Sequence, residues 1–390
     1  MNRLLRTAVI GTGFVGPHHV DAVRRGGYAE VVAMVGTDAA RTAARARALG
    51  VPAATTDVSA LMADRSIDVV HICTPNASHV ELARAALEAD KHVVVEKPLA
   101  LTVADAEGLV GLASERQRHG AVAFTYRGYP MVRQARAMAA GGDLGEVRLV
   151  HGAYLQDWLL EASDYDWRVE PAAGGPSRAV ADIGSHWFDT AEFVSGLRVD
   201  SVMADLATFM TTRHRPTSAA ITFQGPGGGA AAGPGEEVAV ESEDAATLMV
   251  RFAGGGRGSA VVSQVSPGHK NAFSLEVSGA RRSVGWRQED PNHLWIGSRG
   301  QEGSALLPRA PQATDEPGVP ALPAGHPEGW SEALRDLFRP FYAAISSGEP
   351  PSGEHAEAQR YPTLADGARA VRFVDAVLRS ARTGTWAALD

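Results

Sequence analysis

Three short stretches carry residues whose types and spacing can do chemistry. The first is Val9-Ile10-Gly11-Thr12-Gly13-Phe14-Val15-Gly16, a GxGxxG turn that follows an apolar run and opens a helical pattern. The first glycine of such a turn permits the bend. The second lets the backbone approach a pyrophosphate, and the third lets helix and strand pack closely. Alone it is equally an ordinary tight turn. Its place in the first βα turn of a strand–helix series favours dinucleotide binding by Gly11, Thr12, Gly13, Phe14, Val15 and Gly16. The second stretch, Val95-Glu96-Lys97-Pro98, ends an apolar run. A lysine there, desolvated beside a carboxylate, can donate or accept a proton; by itself the pair is also a surface ion pair. The third is Asp182-Ile183-Gly184-Ser185-His186-Trp187-Phe188-Asp189. Its Asp, His and Asp recur at helical spacing, which puts them on one face. A carboxylate beside an imidazole orients it and supports its charge. The plainer alternative makes Asp182 a helix cap and His186 a core histidine.

These stretches need elements to hold them. Residues 7–10, 31–35, 69–74, 92–95 and 121–124 are predicted strands. Residues 18–25, 39–49, 80–89 and 103–118 are predicted helices between them. This alternation predicts βαβ units on a parallel sheet. After a helix over 130–140, β-rich runs at 147–154, 199–209, 246–252, 257–265 and 273–278 predict a mostly antiparallel open sheet. The helix 185–194 interrupts them, and helices over 331–346 and 365–382 close the chain. The expected class is α/β: a Rossmann domain over 1–128, then an α+β domain over 129–390 for substrate binding and oligomerisation, with C-terminal helices free to pack back on the first domain. The Gly/Ala/Pro tract at 225–235 is expected to be a surface loop, and the Pro-rich 310–327 extended.

The chain has 390 residues, 45% hydrophobic and 21% charged, a balance that supports two globular domains. Its formal charge of -8 offers no basic field for a nucleic acid. Its single cysteine, Cys73, excludes a disulfide within the chain and argues against a cysteine-based zinc site. The glycines at 11, 13 and 16 break the apolar N-terminal stretch too early for a signal peptide, and no run is long enough to span a bilayer. The expectation is a cytoplasmic protein with no membrane or nucleic-acid partner and no metal.

The second strand's end bears on the cofactor. An acidic residue about 20 residues past the glycine turn grips the ribose hydroxyl of NAD. Here the stretch is Met34-Val35-Gly36-Thr37-Asp38, with Arg41 one turn on. A small residue with Thr37 and Arg41 leaves room and charge for a 2′-phosphate, which leans towards NADP. Asp38 in a shifted register points the other way, and Arg41 is also explained as a solvated helix charge.

Together these motifs resemble the glucose–fructose oxidoreductase, inositol dehydrogenase and rhizopine-catabolism (Gfo/Idh/MocA) family. The glycine turn, Thr74-Pro75-Asn76-Ala77-Ser78-His79, Glu96-Lys97-Pro98 and Gly174-Gly175 leading to Asp182, Gly184, His186 and Asp189 occur in the family's order across essentially the whole chain. The resemblance implies an NAD(P)-dependent dehydrogenase or reductase of a cyclic sugar or cyclitol. It implies that Lys97 assists proton transfer at the reacting oxygen, that His186 is the acid/base, and that Asp182 binds a substrate hydroxyl and steadies His186. Thr74, Asn76, His79 and Glu96 then line the dinucleotide. Tyr126-Arg127 and Trp167-Arg168 approach the nicotinamide and the substrate. Tyr154-Leu155-Gln156-Asp157-Trp158 resembles a branch that includes levoglucosan dehydrogenases, which brings Gln156 to the substrate. The Gly325-His326-Pro327-Glu328-Gly329-Trp330 segment recurs in sugar-active members and brings His326. A homodimer or homotetramer through the C-terminal sheet is expected. Rivals on the same fold are a dinucleotide-binding sensor without catalysis and a redox-neutral, NAD-dependent glycosidase.

Overall fold

The apolar run that begins the chain is β1 (Leu5–Ile10), whose Ala8, Val9 and Ile10 are buried. The glycine turn delivers it into α1 (Val15–Gly26), which buries Gly16, His19, Val20, Ala22 and Val23 at helical spacing. There follow β2 (Ala29–Val35), α2 (Ala39–Ala48), β3 (Ala53–Thr55), α3 (Val58–Ala63), β4 (Val69–Ile72), α4 (His79–Glu88), β5 (His92–Val95), α5 (Val103–Glu115) and β6 (Gly120–Val122). The computed structural model describes residues 3–216, 235–300, 303–308, 322–323, 325–351 and 360–389. Nearly all of the Gly/Ala/Pro tract and most of the Pro-rich stretch lie outside them.

The six strands form one parallel sheet in the order β3-β2-β1-β4-β5-β6. Its central strands are apolar on both faces, as a parallel sheet covered by helices requires. The order reverses between β1 and β4, and the crevice outside the carboxyl ends at such a switch point is where ligands bind.

The second part opens with α6 (Pro130–Ala140) and β7 (Val147–Leu155), then a single turn α7 (Pro171–Gly174). A π-turn over Val180–Gly184 runs directly into α8 (Ser185–Ser195), which is buried along its whole length. The strands β8 (Val199–Ala207), β9 (Thr212–Arg215), β10 (Glu236–Ala239), β11 (Ala245–Phe252), β12 (Arg257–Ser263), β13 (Ala272–Gly279), β14 (Arg282–Arg287), β15 (His293–Ser298) and β16 (Ser304–Pro308) follow. The chain ends with α9 (Trp330–Ser347), α10 (Leu364–Thr383) and β17 (Ala387–Ala388). Nine strands form the large sheet, β16-β15-β14-β13-β7-β12-β11-β8-β17, antiparallel except where β12 pairs with β7. The turn between β11 and β12 uses Gly254 and Gly255 at φ 85° and 105°, which glycine alone adopts without strain. Burial alternates along β11, with Ala246, Leu248, Val250 and Phe252 facing the core.

The chain divides into two compact units. Of the described residues, those up to Tyr129 with 322, 328–351 and 360–368 form the first; those from Pro130 to 308 with 323, 325–327 and 369–389 form the second. α9 is thus part of the first unit, where Leu334, Leu337, Phe338 and Phe341 share a core with Val9, Val20 and Val23. The expected elements appear with shifted ends. The short β3 and α3 are additions that the patterning does not signal, so the strand at 92–95 is the fifth rather than the fourth. Residues 180–184 form a π-turn continuous with α8, so Asp182 lies inside the helical run and is not its cap.

Candidate active site

In the first unit the glycine turn is held from two sides. Gly11 has φ +120°, and a Cβ on it would overlap the Cys73 carbonyl. A Cβ on Gly16 would overlap the Gly11 carbonyl. Those two glycines are required by the packing of β1, α1 and the end of β4. Gly13 differs: it is exposed, and a Cβ there would meet nothing within 4 Å. No side chain caps the start of α1, where Phe14 precedes the first turn. Open space above a bare backbone, at a helix start with uncapped N–H groups, is what a pyrophosphate needs. The residues present fit a dinucleotide.

At the end of β2, a Cβ on Gly36 would overlap Thr42 Oγ1 and lie 2.9 Å from Thr12 Cγ2. Thr42 is buried and donates to the Asp38 carbonyl at 2.6 Å. An acidic side chain therefore has no room at position 36. Asp38 caps α2, its Oδ1 accepting the Arg41 N–H at 2.7 Å. Thr37 and Arg41 are exposed beside it.

Past β4, Thr74 and Ser78 share a hydroxyl hydrogen bond of 2.7 Å, and Asn76 is buried in a 3₁₀ turn. His79 begins α4, fully buried, with Nδ1 2.8 Å from the Pro98 carbonyl and Nε2 2.8 Å from the Thr74 carbonyl. Burial lowers its pKa against the raising effect of those carbonyls. It ties the turn after β4 to the turn after β5. Glu96 and Lys97 follow β5, the Lys97 N–H donating to Glu96 Oε2 at 3.3 Å. Burial pushes the Glu96 carboxyl up, but the hydrogen bond from His19 and the electrostatic pull of its neighbours His19, Lys97 and His79 outweigh it, so its pKa is lowered. The glycine turn, the 74–79 turn and Glu96-Lys97 thus gather at the carboxyl ends of β1, β4 and β5, three neighbours in the sheet. Tyr126 is buried and stacks on Tyr129 at 5.8 Å. Arg127 is buried against Asp366, with NH2 3.3 Å from Oδ1.

The second unit holds the other group. Asp182 accepts from Arg168 Nε through Oδ1 at 3.2 Å and from Gln264 Nε2 through Oδ2 at 2.8 Å. Arg168 also reaches Asp166 Oδ1 at 3.0 Å and lies over the Trp167 ring, 4.3 Å from its centroid. Burial opposes the Arg168 charge, yet Asp182 and Asp166 more than offset it and raise its pKa. His186 follows Ser185 at the start of the buried α8, its ring 6.3 Å from that of Tyr154. Gln156 donates to Asn271 Oδ1 at 3.0 Å, as Tyr154 does at 2.6 Å, and accepts from Trp158 Nε1 at 2.9 Å. His326 is exposed, its N–H bonded to the Pro323 carbonyl. Among the described residues no cluster of His, Cys, Asp and Glu could hold a metal.

Sequence reasoning missed Gln264 and Asn271, which reach Asp182 and Gln156 from far along the chain, and Asp166, which holds Arg168 from two residues before it. It also missed His19, although its place three residues after Gly16 puts it on the buried face of α1. No helix among the described residues is long and apolar enough to cross a membrane.

Comparison with known proteins agrees with this arrangement. Residues 5–124 match the oxidoreductase family with an NAD-binding Rossmann fold, and residues 132–284 match the Gfo/Idh/MocA C-terminal domain. Levoglucosan dehydrogenase of Pseudarthrobacter phenanthrenivorans is 29% identical over 405 aligned positions, covering 98% of this chain and 97% of its own. A crystal structure of an oxidoreductase domain protein from Kribbella flavida aligns over the whole of both chains, 31% identical with a TM-score of 0.87. A levoglucosan dehydrogenase solved with NADH and levoglucosan gives 0.86 at 28% identity, over 99% of this chain and all of that one. The chain belongs to the Gfo/Idh/MocA family of oxidoreductases, with an NAD-binding Rossmann domain followed by the family's C-terminal domain.

Proposed function

We propose that this protein moves a hydride between a nicotinamide dinucleotide and a secondary alcohol or ketone carbon of a cyclic sugar, anhydrosugar or cyclitol. The observation that carries this is the gathering of Glu96-Lys97, the 74–79 turn and the glycine turn at three adjacent strand ends. The bound dinucleotide supplies the hydride acceptor or donor. The chain's own residues supply alignment and proton transfer. Lys97 holds or takes the proton of the reacting oxygen, and its charge makes a metal unnecessary. His186 is the second acid/base. A carboxylate offers about four acceptor sites, so a substrate hydroxyl can donate to Asp182 alongside Arg168 and Gln264. Gln156, fixed by Trp158 and Asn271, is placed to read another hydroxyl.

Full-length similarity to a levoglucosan dehydrogenase favours an anhydrosugar within this class. For the cofactor the proposal leans to NADP. The carboxylate expected at the end of β2 has no room at Gly36, Asp38 is engaged as a cap, and Arg41 is exposed nearby. The NADH held by the solved levoglucosan dehydrogenase speaks for NAD. The protein is proposed to act in the cytoplasm as a homodimer or homotetramer. The outer face of its large sheet exposes Leu149, Met249, Val261, Trp295 and Leu306 at registered positions, a patch suited to a second copy. Sedimentation of a monomer at micromolar concentration would refute that assembly.

The test is to mix the purified protein with NAD or NADP and follow reduced-nicotinamide absorbance across levoglucosan, monosaccharides and inositols. A rise with one polyol class is expected, faster with NADP. No change with any pair, and none with keto-sugars in the reductive direction, overturns the proposal in favour of a sensor or a redox-neutral glycosidase.

A further inference from the structure

Behind Glu96 runs a line of buried polar side chains drawn from four elements. Glu96 Oε1 is 3.0 Å from His19 Nε2 of α1. His19 Nδ1 is 2.9 Å from His71 Nδ1 of β4. His71 Nε2 is 2.8 Å from the Tyr342 hydroxyl of α9, which is 2.8 Å from Thr7 Oγ1 of β1. Thr7, His19 and His71 are fully buried, Tyr342 nearly so, and the Phe338 ring packs 4.9 Å from both imidazoles. Four polar side chains are thus sealed in an apolar core, which is costly unless every one is satisfied.

Hydrogen-bond arithmetic leaves one arrangement without an added proton. A neutral imidazole donates once and accepts once. Thr7 donates to Tyr342, Tyr342 to His71 Nε2, His71 Nδ1–H to His19 Nδ1, and His19 Nε2–H to Glu96. Every donor then points towards an ionised Glu96. Reversing the line requires a proton on Glu96 or a second one on His19. Burial pushes the His71 pKa well down and the Tyr342 hydroxyl up, so both stay neutral. The charged or titratable groups facing Glu96 are His19 from α1, its neighbour Lys97, His79 from α4 and Cys73 after β4.

We propose that Thr7, Tyr342, His71 and His19 form a polarised hydrogen-bond line that positions Glu96, fixing its orientation and keeping its carboxylate beside Lys97 ionised. The inference rests on the proposed catalytic role of Lys97. His19, His71 and Tyr342 are positioning residues: they act on turnover through Glu96.

The test uses His71→Phe, His71→Asn and Tyr342→Phe, with Lys97→Ala as control. Each is assayed for kcat across about pH 5 to 9, for dinucleotide Kd and for Tm, with rates normalised to folded protein. His71→Phe removes the donor that fixes the His19 tautomer, so Glu96 takes up a proton more easily. Its kcat at neutral pH should fall about tenfold, and the acid limb of the profile should move up by about one pH unit. Dinucleotide Kd should change less than about twofold, because the line lies behind Glu96. The amide N–H of His71→Asn replaces Nδ1–H and should restore most of the profile. Tyr342→Phe should shift the limb in the same direction by less. A wild-type profile in His71→Phe and Tyr342→Phe, with only Tm lowered, overturns the inference while an inactive Lys97→Ala leaves the proposed function standing. Normal turnover in Lys97→Ala instead overturns the catalytic assignment and this inference with it.

Discussion

Replacing Asp182 by asparagine separates a carboxylate's charge from its hydrogen bonds. Oδ1 accepts from Arg168 Nε at 3.2 Å and Oδ2 from Gln264 Nε2 at 2.8 Å. In Asp182→Asn the new amide keeps its carbonyl for Arg168 and turns its NH₂ towards Gln264. The buried Gln264 amide then flips and accepts through Oε1, so both of these hydrogen bonds are preserved. Arg168 retains Asp166 at 3.0 Å and is not left uncompensated. The expected loss of stability is therefore small, about 1 kcal/mol. Asp182→Ala is different, because it leaves both donors without this acceptor, at about 1–3 kcal/mol each. Activity should not follow stability. On the proposed roles, the amide variant lacks the negative charge that would support proton transfer by His186 and order a substrate hydroxyl, so kcat should fall by about 10²–10⁴-fold, or about 3–5 kcal/mol of barrier. Urea melts and steady-state kinetics on the two variants measure both quantities. Near-normal kcat in Asp182→Asn would show that the carboxylate only braces Arg168. An Asp182→Asn protein as unstable as Asp182→Ala would sink the amide-flip argument.

Two further outcomes follow from the first unit. Gly13→Ala should melt like the parent, since its Cβ meets nothing within 4 Å, yet weaken dinucleotide binding by about tenfold. Gly16→Ala, whose Cβ overlaps the Gly11 carbonyl, should lose about 1–3 kcal/mol of stability as well; equal behaviour of the two in a titration and a melt would contradict this division. Burial drives the His92 pKa down to about 3, and its Nδ1 accepts the His119 N–H at 2.9 Å. The unfolded chain binds the extra proton below about pH 6.5 while the folded chain does not, so stability is full above that pH and declines as pH falls towards 3. His92→Asn keeps an acceptor without titrating and should flatten that decline, and an unchanged slope of Tm against pH would argue against His92 as its source.

The chemistry-bearing stretches were legible where local sequence does the positioning. Gly11, Gly13 and Gly16 each have a backbone reason, and Lys97 follows a run of valines that could only be a buried strand. Elements with little apolar content were not legible. β3 has three residues, two of them exposed, and pairs only because β2 offers an edge. β14 and β15 carry Gly285 and Gly297, and the Trp295 ring lies over both, so their pairing depends on a cross-strand aromatic that no periodicity reports. The π-turn at Val180–Gly184 adds a residue to a helical run, which spacing rules built on the α-helix cannot foresee.

The same limit separates the residues proposed to act from those that surround them. Lys97, Asp182 and His186 announce themselves by residue type within short motifs. Their hydrogen-bond partners come from far along the chain: Gln264 for Asp182, and His19, backed by His71 and Tyr342, for the Glu96 beside Lys97. None of these partners has a sequence neighbour that marks it, because a donor aimed across an interior needs only a rigid element beneath it. His71 sits in a strand whose other residues, Val69, Val70 and Ile72, are wholly apolar. A histidine at that place is costly unless satisfied, and the hydrogen bonds to Tyr342 and His19 satisfy both its ring nitrogens, in a line that ends on Glu96.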